Sequence, residues 1–506
     1  MKKLVLTYLL VFSSILKLSA QVDNTMYFMD RLPQSSWINP AQTPSCKFYI
    51  GGLIIPVFGQ LPPPMMFALN TPIDYNDVIF HGEGAYSDSL ITPLHPTANI
   101  DDFLKKLRKV NYISTEFQLD LLNFGFKTGK NGFFSFDLSE RMFFDFGMPK
   151  SLFEFAAKGN DAVRDADFTG LGVNAMYYHQ LALGYKHQFS KTFSAGLRAK
   201  LLIGVANVKT ASSDLQLTTA EKTNYMKVTS NYEVSTNMPL EITFDEEGYV
   251  DDIDFLDITE ESSYIKNYAL TTGNYGFAMD FGVSKDITSS LSCYFSVEDL
   301  GLINWKTNAG TFGFYDDDSL NFNGVVVSNL DIEDFEDAFD LDSITDHFTE
   351  ISYTEGAYKT YLPTKFYFGA KYLVAKRISF GALAKMELLP HKIRPSFTLS
   401  ANFKPFKFTA ATLSYSCLNG NYNNIGLGFT VHPGPIQWYF VSDNLIGAAL
   451  FPTSARSLSV RMGCNLVFGC VDKTKNGSHN NKNRNASMLD NKKSKNKGVV
   501  PYSNKH

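Results

Sequence analysis

The groups in this sequence that could do chemistry are ionisable side chains set at alternate positions of short runs: Glu116, Asp120, Asp137, Arg141, Arg198, Lys200, Asp280, Glu298, Lys371, Lys385, Glu387 and Arg461. If the runs are strands, these side chains share one face. Six are acidic and six basic, a balance that fits an internal salt-bridge network. The other reading offers Arg198 and Lys200 to the carboxylate head of a ligand, and burial and pairing decide between the two. No His-Glu-x-x-His, Gly-x-Ser-x-Gly or Walker loop is present, so neither an enzyme nor a cofactor is expected. Acidic residues crowd two stretches, Asp245 to Asp254 and Asp316 to Asp346, the latter within a run free of Lys and Arg between Lys306 and Lys359. Hard carboxylate ligands of this kind could take calcium, but neither stretch has the Asp-x-Asp-x-Asp-Gly spacing, and a solvated, self-repelling loop is the alternative. No resident metal site is expected.

The chain that must position these groups has 506 residues, 44% of them apolar, 14% aromatic and 19% charged, with a net charge of -5. Mean hydropathy is -0.12. These totals argue against a helical membrane protein and against a basic nucleic-acid binder. The one long apolar run is at the start: Lys2 and Lys3, then Leu4 to Leu16, then Leu18-Ser19-Ala20, which reads as a secretory signal over 1–20 with Gln21 opening the mature chain. No later segment is apolar enough for a spanning helix, so an exported protein embedded in a membrane has to be a closed β-barrel.

Period-two alternation supports that fold class, an all-β antiparallel transmembrane barrel. Phe397, Leu399, Ala401 and Phe403 interleave with Ser396, Thr398, Ser400 and Asn402, and Tyr275, Phe277, Met279, Phe281 and Val283 with Gly276, Ala278, Asp280, Gly282 and Ser284. Fourteen such segments are expected between 47 and 470, the first at 47–57 and interrupted by Pro56. Tight turns (Thr128-Gly129-Lys130, Ser190-Lys191, Asp286-Ile287, Lys376-Arg377, Pro405-Phe406, Pro433-Gly434) alternate with longer connections, the largest being 58–112, 210–272 and 301–360. Short turns on one side and long loops on the other are the outer-membrane pattern. An N-terminal plug is expected at 21–46, and the Asn- and Lys-rich 471–506 as a disordered basic periplasmic tail. Closing the barrel brings Cys46, at the start of the first strand, beside Cys470, at the end of the last, and predicts a disulfide across the seam. Cys293, Cys417 and Cys464 are read as small apolar residues on membrane-facing positions.

Two local motifs carry resemblances. Arg461-Met462-Gly463-Cys464-Asn465-Leu466-Val467-Phe468 resembles the C-terminal signal read by the outer-membrane insertion machinery, with Arg461, Gly463, Leu466 and Phe468 in its four defined places. It differs in that more chain follows Phe468. Trp37-Ile38-Asn39-Pro40-Ala41 resembles the Asn-Pro-Ala motif in the N-terminal hatch of the long-chain fatty-acid transporter (FadL-type) family, in particular a branch that includes shuttle barrels of type IX secretion. The resemblance implies a fourteen-stranded outer-membrane barrel in which Asn39, Pro40 and Ala41 sit in the lumen as plug contacts. A rigid turn set by Pro40 and Pro44 is the plainer alternative. Two functions are expected to compete: a passive channel or carrier for hydrophobic or amphipathic molecules, and a protein-docking barrel for surface assembly or secretion that uses its long loops, with Phe335, Phe339 and Phe348 as anchors. Membrane lipid and the insertion machinery are the expected partners of both.

Overall fold

In a computed structural model of the full chain, the residues that can be described are 23–42, 44–53, 64–93, 95–220, 225–255, 273–316, 319–321, 351–389, 392–418, 421–450 and 455–470. The expected signal segment, the 471–506 tail and Phe335, Phe339 and Phe348 lie outside them.

An antiparallel sheet closes on itself. The first wall position is shared by β1 (Phe48–Gly51) and β2 (Met65–Asn70), each of which pairs with both flanking strands. Around from it run β3 (Val110–Thr128), β4 (Gly132–Pro149), β5 (Gly172–Gln188) and β6 (Phe193–Thr219). After β7 (Tyr225–Thr236), which is outside the ring, come β8 (Tyr275–Asp286) and β9 (Leu291–Trp305). After β10 (Gly310–Asp316) and β11 (Ile351–Glu355), also outside it, the ring continues through β12 (Thr364–Ala375), β13 (Ile378–Leu389), β14 (Lys392–Phe406) and β15 (Thr409–Leu418). It ends with β16 (Asn421–Val431), β17 (Ile436–Ser442) and β18 (Ser457–Phe468). The pairing of β1 and β2 with β18 closes a ring of fourteen positions. Closure leaves no edge strand in the ring, the condition for placing sheet backbone in hydrocarbon.

The outward faces carry the apolar half of the alternation: Leu183, Leu197, Leu201, Phe277, Phe281, Phe368, Phe380, Phe397, Leu399 and Leu413 are all exposed. A band of that extent is unstable in water and matches a bilayer. Cys293 and Cys417 fall on this face, opposite or beside outward Phe368 and Phe397, and Cys464 shares the parity but is buried.

Three expectations need correction. The first strand does not run through 47–57: it stops at Gly51, and pairing in the same wall position resumes at Met65, so part of the expected 58–112 loop is wall. Gly52 makes the exit with φ of 123°, a backbone region open to glycine. Second, 210–272 does not begin as a loop. β6 runs 27 residues, about 90 Å at roughly 3.3 Å per residue, several times a membrane crossing. It leaves β8 at Ile203 and continues against β7, which pairs in turn with β10, and β10 with β11. Third, the wall strand β9 runs on through Ile303 and Trp305 into the expected 301–360 loop. The wall is therefore tall along β3 to β6 and short at β17, which has 7 residues.

At the tight-turn end Cys46 and Cys470 are joined by a disulfide that spans 424 positions of sequence. Beside it Tyr49, Phe133 and Val467 pack around Cys46 inside the barrel, and the Phe48 and Phe468 rings meet outside at 5.9 Å. A cross-link over so long a loop restricts the unfolded chain strongly. The unreduced, heat-unfolded protein should therefore migrate faster on a gel than the reduced one, and Cys46→Ser should abolish the difference and lower the unfolding temperature.

Candidate functional site

The site is the lumen, and its main occupant is the chain's own N-terminal segment. Residues 23–42 lie inside the ring, and Met26, Tyr27, Leu32, Gln34, Ile38 and Asn39 are fully or almost fully buried. Short-range hydrogen bonds shape the segment. Asn39 Oδ1 accepts from the Ala41 N–H at 2.9 Å, the turn that an Asn-Pro-x sequence favours, while Asn39 Nδ2 donates to the Tyr27 hydroxyl at 3.1 Å and Gln42 Nε2 to the Tyr27 carbonyl at 2.7 Å. The residues of the Asn-Pro-Ala motif thus fold the plug back on its own first turn. Tyr27 also stacks on Tyr367 of the wall at 5.5 Å, and burial raises its hydroxyl pKa well above the ordinary value.

Glycine sets where the plug touches the wall. A Cβ on Gly282 would sit on Asn39 Oδ1 and near the Ala41 nitrogen, and one on Gly196 would sit on the Pro40 carbonyl. Both glycines are at inward positions of long strands, where the small residue permits backbone-to-wall contact. At the other end of the plug the N–H groups of Asn24 (3.2 Å) and Thr25 (2.6 Å) donate to the Asp443 carboxylate, just past β17. Burial raises the pKa of that carboxyl, and the two donors partly offset the effect. Arg461 forms a two-bond pair with Asp23 at 2.9 and 3.1 Å and lies 5.7 Å from the Trp37 ring.

Next to Arg461, and joined to it through Gln118, a layer of charge spans the lumen. Arg198 binds Asp137 and Asp280 (2.7 Å to the latter) and donates to the Trp37 carbonyl at 3.3 Å. Lys200 bridges Asp280 at 2.6 Å and Asp299, and Arg141 reaches Asp299 at 3.1 Å. Beside the layer, Lys365 binds Glu116 at 3.0 Å, and Tyr367 donates to Glu298 at 3.0 Å. Arg198 and Lys200, the two candidate ligand contacts, are each paired with two carboxylates, which answer their charges within the wall, while Arg198 Nε has no hydrogen-bond partner among the described residues. The free space here is about 10 Å³, on the order of what a single water occupies.

Several residues of this network were not singled out in sequence. Asp299 was missed because strict alternation puts it outside when Glu298 is inside. A bulge opposite Asp280 and a φ of 59° turn both residues inward, and the Asp299 N–H donates to Asp280 Oδ1 at 2.9 Å. Asp23 and Asp30 were missed because nothing local marks a plug residue as a partner; Asp30 binds Lys371 at 3.1 Å and Lys404 at 2.6 Å. Arg394, 3.3 Å from Glu387, follows a turn whose register was not read. The inward glycines were the available signal, since a wide lumen has no other use for a missing side chain at Gly196 and Gly282. Of the last-strand motif, Arg461 points into the lumen. Gly463 is where a side chain would meet Pro64 and Tyr439, Leu466 pairs with Ile50 and Ile436, and Phe468 faces outward.

The fold and site define a class: a closed, fourteen-position transmembrane β-barrel plugged from within by its N-terminal segment. Within that class the chain belongs to the family described as a family of unknown function (DUF5723), whose profile matches residues 40–443. No curated protein matches it in sequence. Solved structures that it is similar to include the Ralstonia pickettii toluene transporter TbuX (6% identity, 87% of this chain and 94% of that one, TM-score 0.38). The Pseudomonas putida toluene transporter TodX is another (9%, 86% and 92%, 0.33), as is a Pseudomonas aeruginosa FadL homologue (8%, 84% and 89%, 0.34). At these identities and TM-scores nothing about cargo follows, and the barrel assignment rests on its own strand registers.

Removing Asp280 would leave Arg198 and Lys200 with one carboxylate each, Asp137 and Asp299, and the buried layer with an uncompensated positive charge. Asp280→Ala should cost about 3–5 kcal/mol, read as a lower temperature for the heat-induced mobility shift of the folded barrel. Gly282→Val should leave the barrel closed but unseat the plug, raising single-channel conductance above a near-silent baseline in planar bilayers.

Proposed function

We propose that this protein is a bacterial outer-membrane carrier for hydrophobic or amphipathic molecules, held closed by its N-terminal hatch. The observation that carries the reading is an apolar layer in the lumen on the long-loop side of the charged network: Phe143, Met176, Leu202, Ile303, Trp305 and Leu389 point inward from five strands and pack together. A pore for ions or sugars keeps its lumen polar and wet. Here an apolar lining precedes a layer of paired charge, an order that favours entry of apolar cargo and opposes ion leak. Passage then requires the hatch to move; residues 23–42 are held by contacts through inward glycines, by hydrogen bonds and by the ion pairs of Asp23 and Asp30, all of them reversible, and the disulfide at Cys46 lies past their end. The exposed apolar belt supports the outer membrane as location and lipid as partner. The tight turns, the seam disulfide and the tail would face the periplasm. Arg461, Gly463, Leu466 and Phe468 on the last strand support delivery by the insertion machinery.

A docking role has one observation in its favour. The sheet of β6, β7, β10 and β11 continues well past the membrane and presents a surface no barrel needs for closure.

Liposomes carrying the full chain should accumulate a fluorescent long-chain fatty acid saturably, and protein-free liposomes should not. Deleting residues 23–42 should convert the protein into a steady ion-conducting pore. Absence of uptake together with a stoichiometric protein retained on the β7 and β10 surface would replace the carrier reading with the docking one.

A further inference from the structure

A second cavity lies away from the hatch, at the long-loop mouth of the tall wall. Its volume is about 240 Å³, and it is a partly open pocket between β3 to β6 and the segment 168–173. The segment is pinned there: the Phe168 N–H donates to the Leu215 carbonyl at 2.8 Å, Gly170 N–H to Ser213 Oγ at 3.2 Å and Val173 N–H to Thr210 Oγ1 at 3.0 Å. Val110, Tyr112, Leu171 and Val173 make much of the lining apolar.

The charges in this corner cancel. Asp145 accepts from Ser114 and from Lys392 at 3.0 Å, with Arg394 at 4.0 Å, and Arg394 also binds Glu387 at 3.3 Å. The Lys392 ammonium is 3.6 Å from the centre of the Tyr112 ring, which further occupies it. Lys109, the cation of the lining itself, reaches Asp167 at 3.6 Å, so three acids answer three bases and the cavity holds no net charge to draw in an ion.

Asn174 is the residue these contacts leave unexplained. It lies opposite Asp145 across β4 and β5, lines the cavity and is 4% exposed, yet neither its amide nitrogen nor its amide oxygen has a hydrogen-bond partner among the described residues. A buried amide in that state is costly, and few persist in folded proteins without a partner. Both atoms are closed off from open space as they stand, so the amide has to turn on its side-chain torsions to meet a partner in the cavity beside it.

We propose that this cavity binds a small uncharged molecule with an apolar body and one end that both donates and accepts a hydrogen bond, such as a carboxamide, with Asn174 as polar anchor and Tyr112 as an apolar wall. A carboxamide and the Asn174 side chain can exchange two N–H···O bonds. A carboxylate meets only the Asn174 donor and arrives charged at a neutral site, and a hydrocarbon meets neither group. This binding stands apart from the carrier reading, because it requires no movement of the hatch.

The test is fluorine NMR titration of the full chain in detergent with 4-fluorobenzamide, 4-fluorobenzoate and fluorobenzene. The amide should bind at least about tenfold tighter than the other two, the scale of a buried hydrogen-bond pair. Asn174→Leu should erase that preference while fluorobenzene binding stays within about twofold. Asn174→Ala, which removes both hydrogen-bonding groups without adding bulk, keeps the proposal testable if the leucine variant fails the heat-mobility check, and should also lose the preference. Equal binding of the three probes, an amide preference that survives both substitutions, or no binding of any probe, which would mean that water alone satisfies Asn174, overturns the proposal. Fatty-acid uptake by the same preparation is scored separately, so either reading can fail alone.

Discussion

A sheet placed in hydrocarbon must pair every backbone N–H and C=O within itself, and the rest of this molecule follows from that demand. Pairing β18 with β1 and β2 removes the last edge, but a ring of fourteen positions encloses more space than its own side chains fill. The interior therefore needs a second solution, which the N-terminal segment supplies. Its aromatic and aliphatic residues pack on Tyr367, Leu383, Tyr439 and Val441, and its polar groups meet inward polar groups of the wall.

The charged layer belongs to the same solution. Asp137, Asp280 and Asp299 answer Arg198 and Lys200 at nearly full burial and Arg141 at its margin, where a charge left alone would be costly. Such a network adds little net stability over apolar packing, yet it fixes the relative register of β4, β6, β8 and β9 and ties them to the plug through the Trp37 carbonyl. Plug and layer together close the lumen, while the apolar residues above them remain an environment in which only weakly hydrated molecules would gain by entering.

The unequal wall adds a further division of labour. Where strands are short, at β16 to β18, the hatch tip is anchored through Asp443 and Arg461. Where they are tall, at β3 to β6, the excess length builds surface beyond the membrane and the cavity beside Asn174. One ring thus carries a sealed side and an elaborated side.

Much of this was legible in the chain itself. Alternation is a local property, so the fourteen positions, the tight turns and the inward parity of Arg198, Lys200, Asp280 and Gly282 could be read from neighbours two residues apart. The pairing of Cys46 with Cys470 needed only the additional assumption of closure. What local pattern could not give was any feature that breaks parity or joins distant segments. The bulge that turns Asp299 inward, the departure of the first strand at Gly52 and the choice between paired and ligand-binding roles for Arg198 and Lys200 all depend on which strand lies alongside and at what register. By itself the sequence determined a barrel with charges inside, because the side-chain period of a strand is independent of its partners. The tertiary structure alone decided which charges meet, where the plug rests and which buried groups, Asn174 among them, lack a partner among the described residues, because those are distances between residues far apart in the chain.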